Sequence, residues 1–131
     1  MRGERAIVCV DDEAIQLLAL KRELGIRFGK RYLIEVAADG ERALDLLEGL
    51  SAEGIDVPFL ITDWLMPGIR GDELIKLARA RFPRVRAIMI TGQADEEAKR
   101  RCVEEGGVLG ILGKPWRRDD LIATIESAEA G

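Results

Sequence analysis

Ala6-Ile7-Val8-Cys9-Val10-Asp11-Asp12 is an apolar run that stops on two carboxylates, and Phe59-Leu60-Ile61-Thr62-Asp63 repeats the pattern with one. Short apolar runs without polar alternation suit strands buried on both faces, as in a parallel sheet. If the two runs are neighbouring strands, Asp11, Asp12 and Asp63 gather at one sheet edge. Two unit charges about 5 Å apart repel by roughly 3 kcal/mol at an effective dielectric of about 20. A positive group is therefore expected beside them.

Outward from these runs, strand-like and helix-like segments alternate with no linker, repeat or low-complexity stretch. Ala14, Leu17, Leu18 and Leu24 predict the apolar face of a first helix over 14–24. Residues 32–37 read as a second strand, and Asp39 offers an N-cap acceptor before Ala43, Leu44, Leu47 and Leu50 at helical spacing. The run at 59–62 is the third strand; Leu74, Leu77, Ala78 and Phe82 mark a third helix stopped by Pro83. Residues 86–91 form a fourth strand. Asp95 caps a fourth helix over 96–105 that Gly106 ends; its apolar residues are only Ala98, Cys102 and Val103, and Glu96–Arg100 and Glu97–Arg101 are available as pairs. A fifth strand covers 108–112 despite Gly107 and Gly110, and Asp119 and Asp120 open a last helix with Leu121, Ile125 and Ala128 on its apolar face. Five strands alternating with five helices predict an α/β fold: a parallel sheet covered on both faces.

Composition narrows the function. A chain of 131 residues with 47% apolar content fits one domain with a sizeable core. Its 24 acidic and 20 basic residues leave a net charge of −4, which argues against direct nucleic-acid binding. Cys9 and Cys102 lack metal-site spacing and read as reduced thiols of a cytoplasmic protein. The apolar run after the N-terminus is too short for a signal-peptide core or a membrane span. There is no histidine, which removes Ser-His-Asp and Cys-His schemes and the commonest zinc ligand. Chemistry here must use carboxylates, lysines, hydroxyls and a borrowed ion.

In a parallel α/β sheet, ligands bind outside the carboxyl ends of the strands where strand order reverses. The first strand ends at Asp11 and Asp12, the third at Asp63, the fourth at Thr91, and the fifth runs into Lys114. All the candidate chemistry therefore falls at the carboxyl edge.

Val10-Asp-Asp-Glu13, Thr62-Asp-Trp-Leu-Met-Pro-Gly68, Ile90-Thr-Gly92 and Gly113-Lys-Pro-Trp116, in this order and spacing, resemble the receiver domain of bacterial two-component response regulators. The resemblance runs from about residue 6 to 128 of a single domain spanning 1–131, stand-alone or cut from a larger protein. It implies a flavodoxin-like receiver fold with strand order 2-1-3-4-5. By resemblance, Asp63 is the phospho-acceptor, charged from a sensor histidine kinase or phosphotransfer protein. Mg²⁺ is then held by Asp12, Asp63 and the Leu65 backbone carbonyl, and through water by Asp11. Lys114 and the Thr91 hydroxyl contact the phosphoryl oxygens. Pro115 matches a cis proline that aims Lys114, and Gly92 a small residue that leaves the phosphoryl group accessible. All-oxygen ligation with retained waters is what magnesium prefers. The implied domain is a switch, not an enzyme beyond its own phosphorylation and dephosphorylation, with an effector downstream and homodimerisation open to it.

Three positions depart from or vary within the family pattern. Ile111 stands where an aromatic switch residue is usual, so switching is expected to run through Thr91 and the backbone. Leu65 and Gln93 are the variable positions beside the acyl phosphate; Leu65 cannot orient a water. Trp64 and Trp116 flank the site and read as half-buried packing residues or, for Trp116, part of an output surface. Gly68 and Gly71 read as loop and helix-entry glycines. Two competing classes remain at this point: an aspartate-based, Mg²⁺-dependent phosphohydrolase and a phosphorylation-independent interaction domain. Asp11-Asp12-Glu13 lacks the Asp-x-Asp spacing of the hydrolase, and 131 residues leave no room for a cap domain.

Overall fold

The computed structural model describes residues 4–92, 96–104 and 108–131. Gln93, the Asp95 cap and the Gly106 terminator lie outside the described residues, as do the side chains of Ala98, Arg101, Cys102 and Val103. The elements alternate: β1 (Arg5–Val10), α1 (Ala14–Phe28), β2 (Leu33–Ala37), α2 (Gly40–Ala52), β3 (Asp56–Asp63), α3 (Gly71–Arg81), β4 (Arg86–Thr91), α4 (Glu96–Glu104), β5 (Val108–Gly113) and α5 (Arg118–Ala130). The sheet is parallel, in the order β2-β1-β3-β4-β5.

The period-2 geometry of the strands divides the core in two. Ala6, Val8, Val10, Leu60, Ala87 and Met89 pack against α2 and α3 through Ala43, Leu47, Leu50, Leu74, Ile75 and Ala78. Ile7, Cys9, Phe59, Ile61, Ile88 and Ile90 pack against α1 and α5 through Leu20, Leu24, Phe28, Leu121 and Ile125. Each central strand is apolar on both faces because each face meets helices. Cys9 is a free thiol on the α1 side, and burial pushes its pKa up to about 12.

Most helix ends follow local chemistry. The Asp39 carboxylate accepts from the Arg42 amide at 2.8 Å and caps α2. Helix α3 ends at Arg81, two residues before Pro83. Three expectations need correcting. Helix α1 continues to Phe28 and its inward face is Leu20, Leu24 and Phe28, with Leu18 and Ile15 left 70% and 79% exposed. Apolar residues occur around most of this helix, and the position of the sheet, not the spacing, selects which are buried. In α3, Ile75 is buried and Leu77 is exposed, for the same reason. Strand β3 begins at Asp56, before the expected run; Pro58 lacks an N–H, and the β1–β3 register shifts beside it, between Arg5–Asp56 and Ile7–Phe59. Glu96 pairs with Lys99 at 3.6 Å.

Candidate phosphoryl-transfer site

Register places the chemistry. Val10 pairs with Thr62, Asp63 with Ile90, and Thr91 with Gly113, so β1, β3, β4 and β5 deliver Asp11, Asp63, Thr91 and Lys114 to one edge. Asp11, Asp63 and Thr91 are buried, and Asp12 faces solvent. One carboxylate oxygen each from Asp11, Asp12 and Asp63 lies within 4.8 Å of the others.

The positive group the cluster requires is Lys114. Its Nζ lies 2.8 Å from Asp11 Oδ2, 3.1 Å from Asp63 Oδ2 and 3.3 Å from Glu13 Oε1. The Lys114 backbone N–H donates to the Thr91 carbonyl at 3.0 Å, and the Lys114–Pro115 peptide is cis. Burial pulls the Lys114 pKa down, but hydrogen bonds and charge from Asp11 and Asp63 hold the ammonium above its ordinary value. Asp63 is shifted upward. Burial is the largest cause and the Asp11 charge adds to it, against the lowering influence of Lys114 and the Trp64 N–H.

Asp63 is held through both its side chain and its backbone. Its Oδ1 accepts from the Trp64 amide at 2.8 Å, and its carbonyl accepts from the Thr62 hydroxyl at 2.8 Å. The Gly71 N–H returns to the Trp64 carbonyl at 2.7 Å, closing the loop onto the start of α3. Gly68 within this loop takes φ +82°, a left-handed conformation that favours glycine. The Trp64 indole is buried and donates to Asp72 at 3.2 Å, while Trp116 is half-buried against the α1 side and donates to Glu23 at 2.9 Å. Both tryptophans are thus packed and hydrogen-bonded.

Leu65 is exposed beside the cluster, and Ile111 is half-buried against the α2–α3 side of the core. Gly92 is exposed, and a Cβ there would meet Lys114 Cβ at an ordinary 3.8 Å. Two residues carry more than the sequence suggested. Glu13 reaches Lys114 across 101 positions, and Gly71 is packed against the Asp63 backbone. Only the acidic run 11–13 hinted at the first, and nothing at the second. A groove of about 960 Å³, lined by Arg5, Tyr32, Asp56 and Arg84 among others, lies at the opposite, amino edge of the sheet, away from this chemistry.

The donor set fits a hard divalent cation. It consists entirely of carboxylate oxygens, with Asp12 open to the solvent that would complete the coordination.

A 2-1-3-4-5 parallel sheet with three carboxylates and a lysine converging on its carboxyl edge defines the receiver class. The family model of the response regulator receiver domain matches residues 7–126, and the chain belongs to this family. It is a receiver domain of two-component signalling. It is 35% identical over 125 residues to the hydrogenase transcriptional regulatory protein HoxA of Cupriavidus necator, an alignment covering 95% of this chain and 24% of that protein. It is 27% identical to the response regulator RppA of Synechocystis, covering 94% of this chain and 50% of the relative. The chain therefore spans half or less of the length of these two relatives. Among solved structures, the signal receiver domain of an HD domain-containing protein from Pseudomonas fluorescens superposes with a TM-score of 0.83 at 25% identity, over 98% of this chain and 96% of that one. No helix among the described residues is long and apolar enough to cross a membrane.

Proposed function

We propose that this domain is a phospho-accepting switch in which Asp63 takes a phosphoryl group from a histidine kinase or phosphotransfer protein in the cytoplasm and passes the signal to an effector. The observation that carries this reading is the Lys114 ammonium held between Asp11 and Asp63 at 2.8 and 3.1 Å. It sits where negative phosphoryl oxygens would need a counter-charge. Thr91, on the adjacent strand end, supplies a hydroxyl to one of those oxygens, and Gly92 keeps the approach open.

Asp12, Asp63 and the Leu65 carbonyl would hold Mg²⁺, with Asp11 acting through water. When bound, the ion neutralises charge on the phosphoryl group during transfer. Asp63 is the nucleophile. Pro115 sets the turn that carries Lys114. Ile111 offers no ring to rotate, so the change at Thr91 reaches the surface of α4, β5 and α5, including Trp116, through backbone movement. That surface serves the effector or a second copy of the domain.

The test is stoichiometric labelling of Asp63. Incubation with a phosphorylated kinase or acetyl phosphate and Mg²⁺ should add one phosphoryl group per chain, and Asp63→Asn should abolish it. Multiple turnover of a generic phosphate ester would point to a hydrolase instead. Unchanged amide spectra over 91–113 on adding beryllofluoride would overturn the proposed output route.

A further inference from the structure

We infer that Glu13 is a positioning residue that slows phosphoryl transfer to Asp63 by drawing the Lys114 ammonium toward the mouth of the site and adding negative charge there. The inference rests on the phospho-acceptor reading above. Lys114 Nζ touches three carboxylates, and they are not equivalent. The Asp11 and Asp63 side chains are 3% and 9% exposed, whereas that of Glu13 is 61% exposed and stands on the solvent side.

The position of Glu13 is fixed by its backbone. Its N–H donates to Asp11 Oδ1 at 2.9 Å, and it occupies the N-cap of α1 in an extended conformation. A residue there usually turns its side-chain oxygen onto the first free amides of the helix. Glu13 makes no such cap bond; its carboxylate instead lies 3.3 Å from Lys114. A group that could neutralise the helix end is directed at the catalytic lysine.

In the transfer, an Asp63 carboxylate oxygen forms a bond to phosphorus as the bond from phosphorus to the donor's leaving atom breaks, and the leaving group keeps the electron pair. With acetyl phosphate the products are the Asp63 acyl phosphate and acetate, with no change of oxidation state. The incoming phosphoryl oxygens are negative and need Lys114. A carboxylate in contact with that ammonium competes for it and repels the arriving group. Because Glu13 faces solvent, the penalty is screened and small, on the scale of an exposed charge pair.

The rate of Asp63 labelling by acetyl phosphate, followed by intact mass in Mg²⁺ at low ionic strength, tests this with the full chain. Glu13→Gln should label about three-fold faster than wild type. The advantage should shrink as salt is raised, which a merely structural effect would not do. Glu13→Ser, which removes the same charge, should also label faster; Glu13→Gln should melt near the wild-type temperature, and Glu13→Ser no lower, since serine can cap α1. A Glu13→Gln rate equal to or below wild type, or a gain indifferent to salt, overturns the role of Glu13 while leaving the phospho-acceptor reading intact. A wild-type chain that takes no label at Asp63 overturns both.

Discussion

A methyl group on Gly71 would stand 2.0 Å from the Asp63 carbonyl oxygen and 2.9 Å from the Trp64 Cα. Both neighbours are backbone, so no side chain can move aside. Helix α3 thus starts against the residue proposed to react, and its first N–H closes the intervening loop onto Trp64. Gly71→Ala should destabilise the fold by about 1–3 kcal/mol, the usual range for overpacking, as measured by urea unfolding. It should also reduce Asp63 labelling. A variant as stable and as reactive as wild type would mean that the loop yields at no cost.

The orientation of α1 separates two leucines two positions apart. Leu20 is 2% exposed and Leu18 70%. Leu20→Ala should cost about 2–5 kcal/mol, as buried truncations do. Leu18→Lys should fall within about 0.5 kcal/mol of wild type, as exposed substitutions do. Equal losses from the two would contradict the observed face.

Asp11, Asp12 and Asp63 each bring one carboxylate oxygen within 4.8 Å of the others, an arrangement that suits a hard divalent ion. Millimolar Mg²⁺ should raise the melting temperature by binding only the folded chain. Asp12→Asn should shrink that rise. A melting curve indifferent to magnesium would leave the cluster without its proposed ligand.

Leu65 stands exposed next to the cluster and offers no hydrogen-bonding atom. The phosphorylated form should therefore lose its phosphoryl group slowly, and Leu65→Asn should hasten the loss. Rapid decay that Leu65→Asn leaves unchanged would rule this out.

Tyr32 is the sole tyrosine, so phenolate absorbance reports it alone. Its pKa is raised, chiefly by burial and then by its hydrogen bond to Glu129, against the lowering charges of Arg5 and Arg31. The folded chain then keeps a proton that the unfolded chain releases near pH 10. The stability this contributes is present below that pH and is lost as pH rises through the folded value. Native absorbance should titrate above pH 10, and Tyr32→Phe should flatten the fall in stability over that interval. A native midpoint at or below 10 would reverse the sign.

Much of this architecture was legible in the chain because the determining signals are local. The apolar runs of β1 and β4, the Asp39 cap and Pro83 each act within a few residues. The convergence of Asp11, Asp63, Thr91 and Lys114 on one edge needed only the rule that parallel strands present their carboxyl ends together. What stayed hidden depends on distant neighbours. Ile15, Leu18 and Leu20 are equivalent hydrophobes until the sheet chooses a face. Gly71 looks like any glycine at a helix start until the Asp63 backbone is brought against it. Glu13 looks like the tail of an acidic run until a lysine 101 positions later is folded onto it.

The last helix is joined to α1 and to the turn that follows it by side chains far apart in sequence. Arg27 meets Glu126, and both Arg31 and Tyr32 meet Glu129, at separations of 97 to 99 residues. During synthesis, the early partners leave the ribosome long before their acidic counterparts are made. Leu121 and Ile125 of α5 share one buried cluster with Phe28, Tyr32 and Phe59, so the α1 side of the core is complete only once this last-made helix has docked as its closing seam.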